Sequence, residues 1–214
     1  MTPHEVAAAA QRVETEMLGR QCGIQDQLAS AYGGINFIEM FRYPQATVTR
    51  IDAPDATLWE LERRLVLVYL GRSHDSSAVH ESVIHALENA GPDSPPIVEL
   101  RRTAALSRGA LLAGDFTGLG RAMIENAEAQ ARLHPALIGS EARHVIDIAK
   151  AHGALGWKVN GAGGEGGSLT LLCDEDDGRK RALVGAIEQA RSVFRHIPIS
   201  LSHHGLRVWR QDFA

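Results

Sequence analysis

The amino-acid sequence predicts an α+β fold, with strand-like segments on either side of a central run of helices. Three observations carry this. Hydrophobic residues make up 44% of the chain and charged residues 22%, the composition of a packed globular protein. Segments 35–40, 46–51 and 64–70 read as strands, and strand-like segments return at 168–173, 193–201 and 206–209. Between them stand four consecutive helical stretches, which argues against an alternation of strand and helix.

Each element has its own signal. Thr2-Pro3-His4-Glu5 is a helix opening, with Thr2 at the N-cap, Pro3 at N1 and Glu5 closing a capping box. Val6, Ala10, Val13 and Met17 follow at helical spacing and are expected to face a core. A short helix is expected over 26–32, then a strand over 35–40 with 46–51 as its hairpin partner. Residues 52–56 (Asp-Ala-Pro-Asp-Ala) read as a linker and as the domain boundary. Residues 64–70 are apolar enough for a central strand. The helical stretches are 77–90, 98–113, 116–133 and 141–152. The third opens on Asp115 as N-cap, and the fourth carries Ala142, Val145, Ile146 and Ala149 on one face. A glycine-rich turn leads into the strand 168–173, a helix is expected over 178–190, and 193–201 and 206–209 read as closing strands. No internal repeat is visible.

Composition excludes several functions. Twenty-two Lys and Arg against 26 Asp and Glu leave a net charge of −4, with no basic field for nucleic acid. The longest apolar run, 65–70, is too short to cross a bilayer, and no targeting segment is seen. Cys22 and Cys173 have no disulfide framework or zinc spacing around them, which fits a reducing cytoplasm. His80 and His85 lie roughly 140° apart around a helix and cannot share a metal on one face.

Three segments can carry chemistry. In residues 158–168, five glycines fall within seven positions, 161–167. Such a turn allows close backbone approach and can form an anion-binding nest. Its match to G-x-G-x-x-G fails on context, because a helix is expected before it and a strand after it. A plain hairpin-like connector is the alternative. In Gly23-Ile24-Gln25-Asp26-Gln27, Asp26 is either a helix cap or a general base. In Gly71-Arg72-Ser73-His74-Asp75-Ser76-Ser77, Arg72, Ser76 and Ser77 stand between a strand end and a helix start, suited to a phosphate or to plain capping.

Taken together these segments resemble the GHMP kinases, the superfamily of galactokinase, homoserine kinase and mevalonate kinase, and most of all its bacterial heptose-phosphate kinases. Residues 23–27 followed by Ala31-Tyr32-Gly33-Gly34-Ile35-Asn36-Phe37 are similar to the segment with the family's catalytic aspartate. Residues 67–73 look like the opening of its C-terminal domain, 156–167 like its third conserved motif, and 205–209 (Gly-Leu-Arg-Val-Trp) like its usual ending. The resemblance implies a mostly antiparallel sheet with a helical block, residues 1–56 as a remnant of the N-terminal catalytic domain and 57–214 as the C-terminal domain. It implies transfer of the γ-phosphoryl group of ATP, with Mg²⁺, to a hydroxyl of a sugar or sugar phosphate. Asp26 would then be catalytic, Arg72, Ser76 and Ser77 substrate-binding, and Lys158, Gly161, Gly163, Gly164, Gly166 and Gly167 cofactor-binding. A non-catalytic sugar-phosphate-binding subunit is the second reading. The sequence departs from the family in lacking its Gly-Leu-Gly-Ser-Ser-like phosphate loop, which makes an N-terminal-half partner or a homodimer the expected complement. It also carries Glu165 among the glycines, a carboxylate unfavourable beside phosphates unless it points away or meets a metal.

Overall fold

The computed structural model describes residues 1–72, 76–87, 91, 93–161, 163–164 and 166–210, without the side chains at 76–80 and 86. The chain forms two compact units, Met1–Asp52 with Leu201–Ala214, and Ala53–Ser200. These compact units divide at 52/53, within the expected linker 52–56, and the stretch after Ser200 clusters with the first unit.

In the first unit, helix α1 spans Pro3–Arg12. Its capping box is made: Glu5 N donates to Thr2 Oγ1 at 3.2 Å and Thr2 N to Glu5 Oε2 at 2.7 Å. A π-helical turn, Val13–Met17, continues it. Helix α2 (Gln25–Tyr32) and an antiparallel hairpin of β1 (Asn36–Arg42) and β2 (Gln45–Arg50) complete the regular structure. The core is small: Ala7, Ile24, Leu28, Ala31 and Ala46, with Ile38 and Val48 of the hairpin packed against it.

The stripe expected to face this core points largely outward. Val13 is 44% and Met17 77% exposed, while Ala7 and Gln11 are buried instead. The alanines at 7–10 give periodicity little to choose between faces. The π turn, closed by Leu18 N to Val13 O at 3.0 Å, then adds a residue per turn and rotates the side chains beyond it. Gln11 is buried because its Nε2 donates to the Tyr43 hydroxyl at 2.6 Å, and that hydroxyl donates to the Cys22 carbonyl at 3.1 Å.

The second unit begins with helix α3 (Asp55–Arg64), which the expected linker covers only at its start, and runs directly into β3 (Leu65–Tyr69). Helices α4 (Ser76–Leu87), α5 (Pro95–Ala113), α6 (Phe116–Leu133) and α7 (Ser140–Ala151) follow. Asp115 caps α6 as expected, accepting from Gly118 N at 2.8 Å. Then come β4 (Gly156–Val159), β5 (Ser168–Leu172), α8 (Asp177–Ala190) and β6 (Arg195–Ile197). The sheet order is β4-β5-β3-β6, antiparallel throughout, so β3 is central. Val66 pairs with Leu171 and Val68 with Leu169, and these four are fully buried under Val145 and Ala149 of α7 and Leu183 and Ile187 of α8. The expected closing strand 193–201 shrinks to β6, and 206–209 form no strand. Their alternation of apolar residues has no strand to pair with among the described residues, and β propensity without a partner makes no sheet.

Candidate functional site

Asp26 sits in the first turn of α2, where the helix dipole favours a carboxylate. It is not the cap. The N-cap is Ile24, and Asp26 makes no hydrogen bond or ion pair with a described residue. The side chain is exposed and lines a cavity of about 690 Å³ within the first unit. Helix α1 and its π turn supply Ala10 and Glu14 to the wall, and α2 supplies Asp26, Gln27 and Ser30. The carboxylate of Glu14 accepts from Gln27 Nε2 at 2.6 Å. The thiol of Cys22 titrates above its ordinary range, through burial first and the neighbouring Glu14 carboxylate second.

The opposite wall is residues 202–209, a strap without regular structure. Glycines lay it down. A Cβ on Gly205 would lie 1.9 Å from the Ala31 carbonyl oxygen, and one on Gly33 (φ +65°) would lie 2.1 Å from Gly205 N. Gly34 N donates to Ser202 O at 2.7 Å, and Arg50 Nη2 to His203 O at 3.1 Å. The strap brings Arg207 and Trp209 to the cavity.

In the second unit a strand, β4, precedes the glycine-rich turn instead of the expected helix, and β5 follows it. The segment is therefore a hairpin connector, which also explains much of its composition. Gly163 (φ +63°) has the Leu137 carbonyl oxygen 2.0 Å from where a Cβ would be, and Gly166 has the Arg72 carbonyl oxygen at 2.4 Å. Gly164 N donates to Ala136 O and Gly167 N to Arg72 O, both at 3.0 Å, so these two amides already have protein acceptors. Gln130, buried on α6, donates from Nε2 to Gly161 O at 2.9 Å.

Arg72 thus meets the turn through its backbone, while its side chain is exposed. Ser76 and Ser77 begin α4, but their side chains lie outside the described residues, as do Asp75 and Glu165. Lys158 lies on β4 opposite Thr170, on the sheet face away from the Val66–Leu171 layer. Burial pushes its ammonium pKa below the ordinary lysine value. Its ammonium donates to the Val159 carbonyl at 3.3 Å, and it makes no ion pair among the described residues.

The structure therefore gathers Lys158, the glycines and the Arg72 backbone in one unit and places Asp26 in the other. Glu14, Arg207 and Trp209 are cavity residues that sequence reasoning does not single out. Helical spacing from Ala10 puts Glu14 on the cavity face, which is the signal that could have found it. For the strap the sequence offers the family-like ending at 205–209, which gives Arg207 and Trp209 no place at the cavity. No three or more His, Cys, Asp or Glu among the described residues form a metal-binding group. No described helix is long and apolar enough to cross a membrane.

Residues 107–189 match the family model for GHMP kinases C terminal. A D-glycero-alpha-D-manno-heptose 7-phosphate kinase of Campylobacter jejuni is 24% identical over 209 residues, 97% of this chain and 59% of that protein. A D-glycero-D-manno-heptose 1-phosphate kinase structure from Bacteroides thetaiotaomicron superposes with a TM-score of 0.67 at 22% identity, over 98% of this chain and 57% of the other. The L. major mevalonate kinase complexed with R-mevalonate gives 0.68 at 21%, over 89% and 55%. The chain has the fold of this kinase group and spans about three fifths of the curated relative's length.

Proposed function

We propose, for a chain whose residues 107–189 match the GHMP kinases C terminal family, that the protein serves ATP-dependent phosphorylation of a sugar or sugar phosphate. The observation that carries the reading is Asp26: a carboxylate in a cavity, at a helix N-terminus, with no capping or ion-pair role among the described residues. Such a group is free to orient an acceptor hydroxyl and take its proton. Catalysis in phosphoryl transfer is mostly positioning and charge stabilisation, so few groups are needed.

Mg²⁺ would find most of its ligands outside this chain. The ion takes one or two carboxylates together with water and substrate phosphates, and Glu14 and Asp26 line one cavity. Glu14 would hold it on this chain, leaving Asp26 free for the acceptor's proton, and the ion would neutralise charge on the transferring phosphoryl group. In the second unit, Lys158 and the glycines at 161, 163 and 166 are the proposed ATP-phosphate contacts, with Gly164 and Gly167 shaping the turn through amides that already have protein acceptors. A desolvated ammonium regains favourable charge pairing when an anion arrives, which supports Lys158 in that role. Arg72, Ser76 and Ser77 are one proposed contact for a substrate phosphate, and Arg207, which lines the Asp26 cavity, is its rival. Residues 1–56 correspond in this reading to catalytic-domain sequence and 57–214 to the C-terminal domain. Exposed Val13, Met17, Met40 and Phe41 support a covering partner, either a polypeptide matching the unaligned two fifths of the relatives or a second copy. Two free thiols suit a cytoplasmic setting.

The test is phosphoryl transfer from ATP to heptose 7-phosphate, by the chain alone and with a polypeptide supplying the unaligned part of the relatives. Asp26→Asn is expected to lower turnover by about 10²–10⁴-fold with the fold retained. Transfer indifferent to Asp26, or none in either format, refutes the reading.

A further inference from the structure

We propose that the strap, residues 202–209, is the acceptor-recognition wall of the Asp26 cavity. Arg207 takes the anionic group of a phosphorylated sugar, and Trp209 takes an apolar face of its ring. The assignment rests on the kinase reading for the nature of the acceptor and deepens it.

Three observations lead there. First, the strap is held in a defined place. It has no secondary structure, yet the Gly33–Gly205 approach and the hydrogen bonds from Gly34 N and Arg50 fix its path against α2 and β2. A loosely lying segment would not require two glycines at backbone contact. Second, charge is divided between the walls. The helical wall presents the carboxylates of Glu14 and Asp26, and the strap presents the guanidinium of Arg207. Arg207 makes no hydrogen bond or ion pair among the described residues, so its bidentate donor face is available. A ligand with a hydroxyl for Asp26 and an anion for Arg207 matches this division, whereas a neutral sugar leaves the guanidinium unanswered. Third, the lining is amphipathic in the manner a sugar ring needs. Trp209 is 81% exposed yet lines the cavity, while Gln27 and Ser30 offer polar atoms. The negative face of an indole attracts the electropositive C–H face of a pyranose, and the polar groups answer its hydroxyls.

The experiment is calorimetric titration of the 214-residue chain with mannose 6-phosphate, heptose 7-phosphate, free mannose and inorganic phosphate. It is run on wild type, Arg207→Ala, Arg207→Lys, Trp209→Ala and Arg72→Ala. Arg207→Ala is expected to weaken both sugar phosphates by about ten- to a hundredfold, the factor for a hydrogen bond to a charged group, and free mannose by less than about twofold. Arg207→Lys, which keeps the charge and loses the fork, is expected to fall between. Trp209→Ala should weaken phosphorylated and free sugar by similar factors and leave inorganic phosphate unchanged. Both side chains are exposed, so melting temperatures should hold.

Unchanged affinity in Arg207→Ala overturns the proposal. So does equal loss for mannose and its phosphate, loss in Arg72→Ala in place of Arg207→Ala, or failure of wild type to bind either sugar phosphate at millimolar concentration. The kinase reading is judged separately by Asp26-dependent transfer from ATP. Discrimination by Arg207 without any transfer keeps the strap and removes the kinase. Transfer without discrimination does the reverse.

Discussion

Replacing Gly205 by alanine tests the strap at its tightest point. The new Cβ would lie 1.9 Å from the Ala31 carbonyl oxygen, 2.5 Å from its carbon and 2.7 Å from the Tyr32 carbonyl carbon. All three are backbone atoms of α2 and cannot rotate aside. If the strap stays, overpacking costs about 1–3 kcal/mol. If it lifts, the Gly34 N–Ser202 O and Arg50–His203 O hydrogen bonds are lost, at about 0.5–1.5 kcal/mol each. Either route predicts a loss of about 1–3 kcal/mol. Gly23→Ala is the control. Nothing lies within 4 Å of its Cβ position and its φ is not positive, so a change within about 0.5 kcal/mol is expected. Urea unfolding gives the energies. Hydrogen exchange at the Gly34 amide separates the two routes, because only lifting exposes it. Gly205→Ala within about 0.5 kcal/mol of wild type, with Gly34 equally protected, would refute the packing argument.

Three further outcomes rest on the same geometry. Lys158→Met should stabilise the protein at neutral pH. The folded-state pKa of Lys158 is depressed, so the cost of burying its charge is greatest below that pKa and disappears once the unfolded lysine also deprotonates, near about 10.4. Thermal melts from pH 7 to pH 11 should show the variant's advantage shrinking as pH rises, and a constant or growing advantage contradicts this. At pH 8 a thiol reagent should modify Cys22 well before Cys173, whose burial raises its pKa to about 11, and both should react in denaturant; equal native rates, measured by mass spectrometry, would contradict this. Asp115→Ala should cost about 1 kcal/mol by removing the acceptor for Gly118 N, measured by chemical denaturation, and no loss would mean the cap is idle.

What was legible in the sequence was local chemistry. The Thr2–Glu5 box, the Asp115 cap, the Ala142–Ala149 face and the apolar run of β3 each involve neighbours within a turn or one strand, and each stands as expected. What escaped depended on distant partners. Strand β4 is four residues starting on glycine, with no strong pattern, and exists because Gly156 to Val159 pair with Leu172 to Leu169. Helix α3 is hidden by a turn-like opening and by sparse apolar residues among its charges. The outward turn of Met17 follows one inserted residue in the helix, which no periodicity registers. The same division holds for the candidate site. Asp26 announces itself by its neighbours, whereas Arg207 and Trp209 reach the cavity only because glycines far back in the chain leave room for the strap.

The first unit is discontinuous, and this orders its assembly in time. Residues 1–52 leave the ribosome early with a core of a few small side chains, and α2 ends in glycines shaped to receive a strap that has not yet been made. At about 5–20 residues per second, translation of the intervening second unit takes roughly 7–30 s. During that interval the second unit closes its own long-range pairing, since β3 finds β5 and β6 only after the four helices between them have emerged. The early segment therefore waits as a nascent, partly covered hairpin and helix pair until the strap emerges behind the second unit. A stalled ribosome short of Gly205 would hold a finished second unit beside an unfinished first one.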